Sequence, residues 1–205
     1  TIVGVRHIDQ GKILLSGKDI TNQSPHSIAA GGVAHIPEDR LEEGLIPDFS
    51  VSENLMLGLH KDRFFRYNGL ALDSQEVESF AKDSIRDYEI ATPSASLRTK
   101  NLSGGNLQKV IIARELSTNP KLLIANQPSR GLDVGAIEYV HRRMFQQRGE
   151  GTGILLFSED LDEIITLADR ILVIFKGEIV GELKASEVDR EEIGLLMAGC
   201  MEGEQ

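Results

Sequence analysis

The sequence has 205 residues, 40% hydrophobic and 26% charged, enough for one well-buried core and ordinary for a soluble globular protein. A net charge of −10, 5% aromatic residues and no Trp argue against a nucleic-acid surface, and the single Cys200 rules out a disulfide framework or a cysteine-based metal site. No apolar run approaches a membrane span and the N-terminus lacks a signal-peptide pattern, so the expectation is a protein that is soluble or peripheral to another body.

In chain order, "KILLSGKDIT" predicts a hairpin of two short strands turning at Ser16-Gly17. "SPHSIAAGG" has a Ser-Pro start and a Gly stop, which predict a short helix, and "GVAHIPED" follows as a buried strand ending in polar residues. Ser50 and Glu53 form a capping box that starts a helix through about Leu59. "HKDRFFRYNG" is irregular and charged, and Val77, Phe80, Ala81, Ile85 and Tyr88 recur at helical spacing between Asp73 and Glu89. A helix is then expected from about Gly105 to Ser117, followed by strand 121–126, helix 134–148, strand 153–158, helix 160–168 and strand 171–175. This alternation implies crossover units and a parallel sheet. Lys176-Gly177 turns the last strand into "EIVGEL", and a helix near 189–198 closes the chain. His141, Arg142, Arg143 and Arg148 follow a helical pattern and read as a solvated helix face.

Two stretches carry chemistry. In "NLSGGNLQKVIIARE" a helix starting in Ser103-Gly104-Gly105 presents unpaired backbone N–H groups with no Cβ in the way of an anion, although the same pattern serves as an ordinary N-cap. In "LLIANQPSRGLD" an apolar strand ends in Asn126-Gln127-Pro128 and runs on to Gly131 and Asp133.

The two strings, in this order and at this spacing, resemble the signature motif and the Walker B strand of ATP-binding cassette (ABC) ATPases. "GGVAHIPEDR" sits where that family has its Q-loop, "SRGLD" resembles the D-loop, and "LLFSEDLDEI" falls where the switch histidine lies. "IPEDR", "QPSRGLDVGA" and the terminal "IGLLMAG" are most similar to second cassettes of tandem-cassette importers for simple sugars and nucleosides. The resemblance implies an α/β cassette with a parallel-sheet, P-loop-NTPase-like core at 1–38 and 104–205 and an inserted helical subdomain at 39–103. The middle block's helical character agrees with that division. No Gly-x4-Gly-Lys-Ser/Thr loop occurs: Gly11-Lys12-Ile13 and Gly17-Lys18-Asp19 have the wrong spacing from their preceding glycines and no hydroxyl residue. In the family that loop precedes the segment Thr1–Ile20 resembles, so the chain, which opens at Thr1 without Met, is expected to be cut from a longer polypeptide.

The departures from the family pattern concern hydrolysis. Asn126 stands at the Walker B acid position and offers Mg²⁺ a neutral carbonyl in place of a carboxylate. Gln127 stands where a glutamate accepts a proton from water, and an amide cannot act as that base. Glu38 at the Q-loop glutamine position and Glu159 at the switch-histidine position add negative charge where a phosphate would lie. In the family, cassettes pair head to tail and each ATP lies between one P-loop and the other cassette's signature. The resemblance therefore implies a chain without catalytic residues or metal ligands of its own. Ser103, Gly104 and Gly105 would meet the γ-phosphate of ATP·Mg held by a partner cassette of the same polypeptide, and Asp133 would link the two sites. Further implied partners are transmembrane permease subunits, with a solute-binding lipoprotein acting indirectly, at the cytoplasmic face of the membrane. Glu38 to Leu59, with Leu45, Ile46, Pro47 and Phe49, is the expected permease-facing segment. A self-sufficient ABC ATPase, and a soluble ABC protein acting on nucleic acid or ribosomes, are the competing readings.

Overall fold

The computed structural model describes residues 1–59, 64–66 and 71–199, with the side chains of Phe65, Arg66 and Ala71 left aside. Most of "HKDRFFRYNG" and Cys200 lie outside the described residues. The chain divides into two compact units, Thr1–Leu155 and Leu156–Gln205.

The first unit opens with the expected hairpin, β1 (Leu14–Leu15) and β2 (Lys18–Asp19), paired antiparallel around Ser16-Gly17. Helix α1 (Pro25–Ala30) has Ser24 as N-cap and Pro at its first position, where the missing N–H costs nothing. Strand β3 (Val33–Ile36) then runs parallel to β6 (Leu122–Asn126), from Val33 opposite Leu122 to Ile36 opposite Ala125. Both are buried for most of their length and read as continuous apolar runs, as central parallel strands do. On the other side of β6 is β7 (Gly153–Phe157), whose Gly153 N–H donates to the Lys121 carbonyl at 3.0 Å.

A π-helical turn at Arg40–Gly44 follows β3 directly, capped by Asp39, whose carboxylate accepts from the Leu41 and Glu42 N–H groups at 2.9 Å each. These bonds hold the Asp39 carboxyl below its ordinary range. Helix α2 (Val51–Met56) has the complete capping box of Ser50 and Glu53 but ends before the expected Leu59. Its fully buried Asn54 organises the preceding loop. The Asn54 amide donates to the Ile46 carbonyl (3.0 Å), the Ser50 carbonyl (3.1 Å) and Thr99 Oγ1 (3.2 Å), and its Oδ1 accepts from Ile46 N–H at 2.8 Å. The "irregular" stretch contains β4 (Phe65–Arg66), paired antiparallel with β5 (Ala71–Leu72). The 39–103 block therefore holds a short antiparallel strand pair besides its helices. Helix α3 (Ser74–Asp87) buries Val77, Phe80 and Ala81 as its periodicity predicts.

Helix α4 (Gly104–Leu116) is the centre of the unit. Leu107, Gln108, Val110, Ile111, Ile112, Ala113 and Leu116 are buried, so it is apolar nearly all round and packed on several sides. The π-turn sits directly on it: a Cβ at Gly44 would fall 2.6 Å from Ile111 Cδ1, so a larger residue there would have to displace the Ile111 side chain. Helix α5 (Val134–Gly149) carries the basic residues: Arg142 and Arg148 are exposed, as a solvated face requires, and the structure corrects that reading at Arg143. The Arg143 guanidinium lies 4.7 Å from the Tyr88 ring centre and 5.3 Å from that of Tyr139, and it donates to the Asp87 carbonyl. Tyr139 Oη donates to the Tyr88 carbonyl at 2.7 Å, so this cluster fastens α5 to the end of α3.

The second unit contains α6 (Leu161–Leu167), β8 (Arg170–Phe175), β9 (Glu178–Lys184) and α7 (Arg190–Met197) around buried Ile171, Val173 and Ile193. The expected parallel arrangement fails at β8, which pairs antiparallel with β9 from Phe175 opposite Glu178. Lys176 (φ 49°) and Gly177 (φ 86°) supply the two left-handed residues that a tight hairpin turn requires, and they fold the strand back on itself. Asp162 of α6 is ion-paired with Arg190 of α7.

Two substitutions measure how α2 is held. Ser50→Ala is expected to cost about 1 kcal/mol by loss of the cap. Asn54→Ala, which leaves several buried backbone groups unpaired, is expected to cost about 3 kcal/mol or more. Urea denaturation of the two variants checks the order.

Candidate functional site

The start of α4 differs from that of every other described α-helix. Helices α1, α2, α3, α5, α6 and α7 each have a Ser or Asp side chain accepting from a first-turn N–H, whereas Ser103 makes no such bond. Its hydroxyl instead accepts from Asn106 Nδ2 at 2.9 Å. The first-turn N–H groups of α4 are thus left without a side-chain cap, at the positive end of a thirteen-residue helix and behind two glycines. Such a turn is chemically suited to an anion arriving from outside the helix.

Two loops frame this turn. Strand β6 ends at half-buried Asn126, and Gln127 then takes a left-handed conformation (φ 48°) unusual for a residue with a side chain. The Gln127 carbonyl accepts from Arg130 N–H at 3.1 Å and the Ser129 carbonyl from Leu132 N–H at 3.2 Å, which folds 127–132 into a compact turn. The turn delivers Asp133 to the N-cap of α5, where its Oδ1 accepts from Ala136 N–H at 2.9 Å. It also lies against the signature glycines. A Cβ at Gly105 would fall 3.1 Å from Ala136 Cβ and 4.0 Å from Asp133 Oδ2, and one at Gly104 would fall 4.0 Å from Leu132 Cδ2. Ser103, Gly104, Gly105 and Asp133 are therefore brought together.

The second loop is the segment after β3. Glu38 is ion-paired with Arg130, so its negative charge is offset by a cation that the sequence reading left out. Arg40, half-buried, donates through Nε to Gln108 Oε1 at 3.1 Å and through Nη2 to the Arg130 carbonyl. Burial pulls its guanidinium below the ordinary arginine value, opposed by the neighbouring Asp39. Neither arginine was singled out in the sequence, although both stand inside quoted motifs. The available signal was a cation a few residues beyond Glu38 and beyond Asn126-Gln127 in the sequence. Glu159 belongs to the second unit, where it is exposed and immediately precedes Asp160, the N-cap of α6. The segment expected to face a permease also needs correcting. Leu45 is only 5% exposed because it packs into the core behind the π-turn, while Leu41, Ile46 and Phe49 are exposed.

The donor set can be compared with ATP·Mg. Asn126 and Gln127 bring amides to the position where a magnesium site needs carboxylate oxygen, so this loop does not suit the metal. The glycine-led turn of α4 does suit a terminal phosphate.

The parallel β3–β6 pair, the α4 turn and the two loops define an ATP-binding cassette, and residues 1–130 match the ABC transporter family model. The chain belongs to the ABC transporter family. It is similar to the guanosine import ATP-binding protein NupO of Bacillus subtilis (44% identity over 99% of this chain and 40% of that protein). It is also similar to the nucleoside import ATP-binding protein NupA of Lactococcus lactis (43%, covering 97% and 39%) and to the glucose import ATP-binding protein TsgD13 of Haloferax volcanii (45%, covering 97% and 36%). The chain thus spans about two fifths of the length of these curated relatives. The fold is that of the dimeric cassette MJ0796 solved in a post-hydrolysis state with ADP and phosphate, with a TM-score of 0.72 over 89% of this chain and 77% of that one at 22% identity.

The geometry separates the two glycines. Gly104 has ordinary contact distance around a new Cβ, so Gly104→Ala is expected to leave stability within about 0.5 kcal/mol of the parent or slightly above it. Gly105→Val, forced against Ala136, is expected to cost about 1–3 kcal/mol by overpacking. Thermal melts of the two variants decide the matter.

Proposed function

We propose that this chain is a degenerate nucleotide-binding domain of an importer for nucleosides or simple sugars, acting as the second cassette of a tandem pair at the cytoplasmic face of the membrane. The observation that carries this reading is the contrast within one small region. The α4 turn is equipped for a phosphate, while the adjoining strand end presents Asn126 and Gln127 where hydrolysis needs acids. A cassette of this kind does not run its own site but completes the one its partner binds. Ser103, Gly104 and Gly105 stabilise charge on the γ-phosphate in trans, which is the form most of the catalytic advantage takes in phosphoryl transfer. Asp133 relays between the two sites, and ATP and Mg²⁺ belong to the partner. The named substrates of the similar proteins, guanosine, nucleosides and glucose, support an import role and leave solute choice to permease and binding-protein subunits. Residues 39–103 form the subdomain that carries the permease contact.

The chain by itself is expected not to hydrolyse ATP, and Asn126→Asp with Gln127→Glu is expected not to create turnover, since no phosphate-cradling loop of the required spacing is present in the 205 residues. A coupled-enzyme ATPase assay on the double variant checks this, and measurable turnover would move the limiting defect elsewhere.

In the complete transporter, Gly104→Asp is expected to remove most ATP hydrolysis, on the order of a hundredfold, by placing a carboxylate where the partner's γ-phosphate sits. Asn126→Ala is expected to change hydrolysis far less. Equal damage from the two, with assembly preserved, would contradict the trans reading.

Cysteines at Asp48 and Ile46, both exposed, are expected to cross-link to a permease subunit, whereas one at buried Leu45 is not. Labelling confined to other parts of the chain would remove this segment from the interface.

A further inference from the structure

We propose that Arg40 is a positioning residue for the signature turn, joining the segment after β3, the first two turns of α4 and the 127–133 turn into one rigid body. The proposal rests on the trans-acting reading of α4 given above.

The guanidinium makes contacts in three directions. Nε is bonded to Gln108 Oε1 at 3.1 Å, one helical turn beyond Gly104. Nη2 donates to the Arg130 carbonyl in the turn that leads to Asp133. Nη1 lies 3.5 Å from the point a Cβ of Gly104 would occupy, so the group is wedged against the start of the helix. Its own backbone is fixed as well, because Arg40 opens the π-turn that Asp39 caps and that seats Gly44 on Ile111. Gln108 is 2% exposed and its Nε2 has no hydrogen-bond partner. Burying an amide at that cost is explained by the one bond its Oε1 makes, to Arg40. A planar guanidinium can satisfy Gln108 and Arg130 at once in a fixed geometry, and a lysine ammonium on a flexible stem cannot. Any displacement of 38–44 is therefore passed to the signature glycines and to Asp133 together.

The test uses the complete transporter and reads structure and kinetics separately. Without nucleotide, deuterium uptake in segments 103–110 and 127–134 is expected to rise severalfold in both Arg40→Ala and Arg40→Lys, and to stay at the parent level in Gln108→Glu, which keeps an acceptor for Nε. With ATP, kcat is expected to fall about tenfold or more in both arginine variants while KM for ATP stays within about twofold, because a small misplacement of an aligned group is felt in the transition state and the partner still binds the nucleotide. Unchanged uptake in the two segments, or a kcat within twofold of the parent for assembled Arg40→Lys, overturns the proposal. So does a uniform rise in uptake across the whole chain with kcat intact, the signature of a purely structural residue. Gly104→Asp, run alongside, separates the two claims. If it is silent the trans reading falls and this proposal with it. If it is inactive while Arg40→Lys is normal, only the role of Arg40 falls.

Discussion

The arrangement of the first unit turns on one physical contrast: the first-turn N–H groups of α4 carry no side-chain cap. Elsewhere in the chain Ser or Asp side chains take up first-turn donors, and each such cap is worth about 1 kcal/mol. Helix α4 goes without that stabilisation. It is offset by burial, since Val110, Ile111 and Ala113 are fully excluded from solvent and α4 is held by packing on several sides. A helix so fixed along its length can leave its first turn uncapped and still keep it in place.

Charge around that turn is balanced locally. Glu38 and Arg130 form an exposed pair, which contributes little to stability at a protein surface, within about 1 kcal/mol. Its effect is on the potential, because it offsets the negative charge of Glu38 beside the uncapped turn. Arg40 remains as a cation wedged beside Gly104. Together with the positive end of the helix it makes the region favourable to an anion, in a chain whose net charge is −10. The overall acidity of the protein is thus a poor guide to this face.

Features set by neighbouring residues were legible in the sequence. The Ser50–Glu53 capping box, the Ser24-Pro25 helix start, the Lys176-Gly177 turn and the apolar spacing of α3 all rest on interactions within a turn or two, and all are present. Features set by distant partners were not. Periodicity marks 171–175 as a strand and Lys176-Gly177 as the turn after it, but carries no sign that β8 pairs with β9 alone and stands outside the parallel β3–β6–β7 sheet. Leu45 reads as one apolar residue among several in a loop, and only the packed fold separates it from exposed Ile46. The links from Arg40 span 68 residues to Gln108 and 90 to Arg130, beyond any local pattern. The signature glycines and the amides Asn126 and Gln127 at the end of β6 were legible because their chemistry is stated by residue type alone.

The central claim is that the nucleotide hydrolysed by the transporter lies against α4 of this chain while the other cassette binds it. The most direct measurement places a cysteine at Ser103, and a second in the phosphate-binding loop of the partner cassette, in an otherwise cysteine-free transporter. The account predicts a cross-link that forms on addition of ATP and is lost on hydrolysis to ADP. It also predicts no such link between a cysteine at Asn126 and the partner's signature. A cross-link from Ser103 that is absent with ATP, or indifferent to it, would contradict the account.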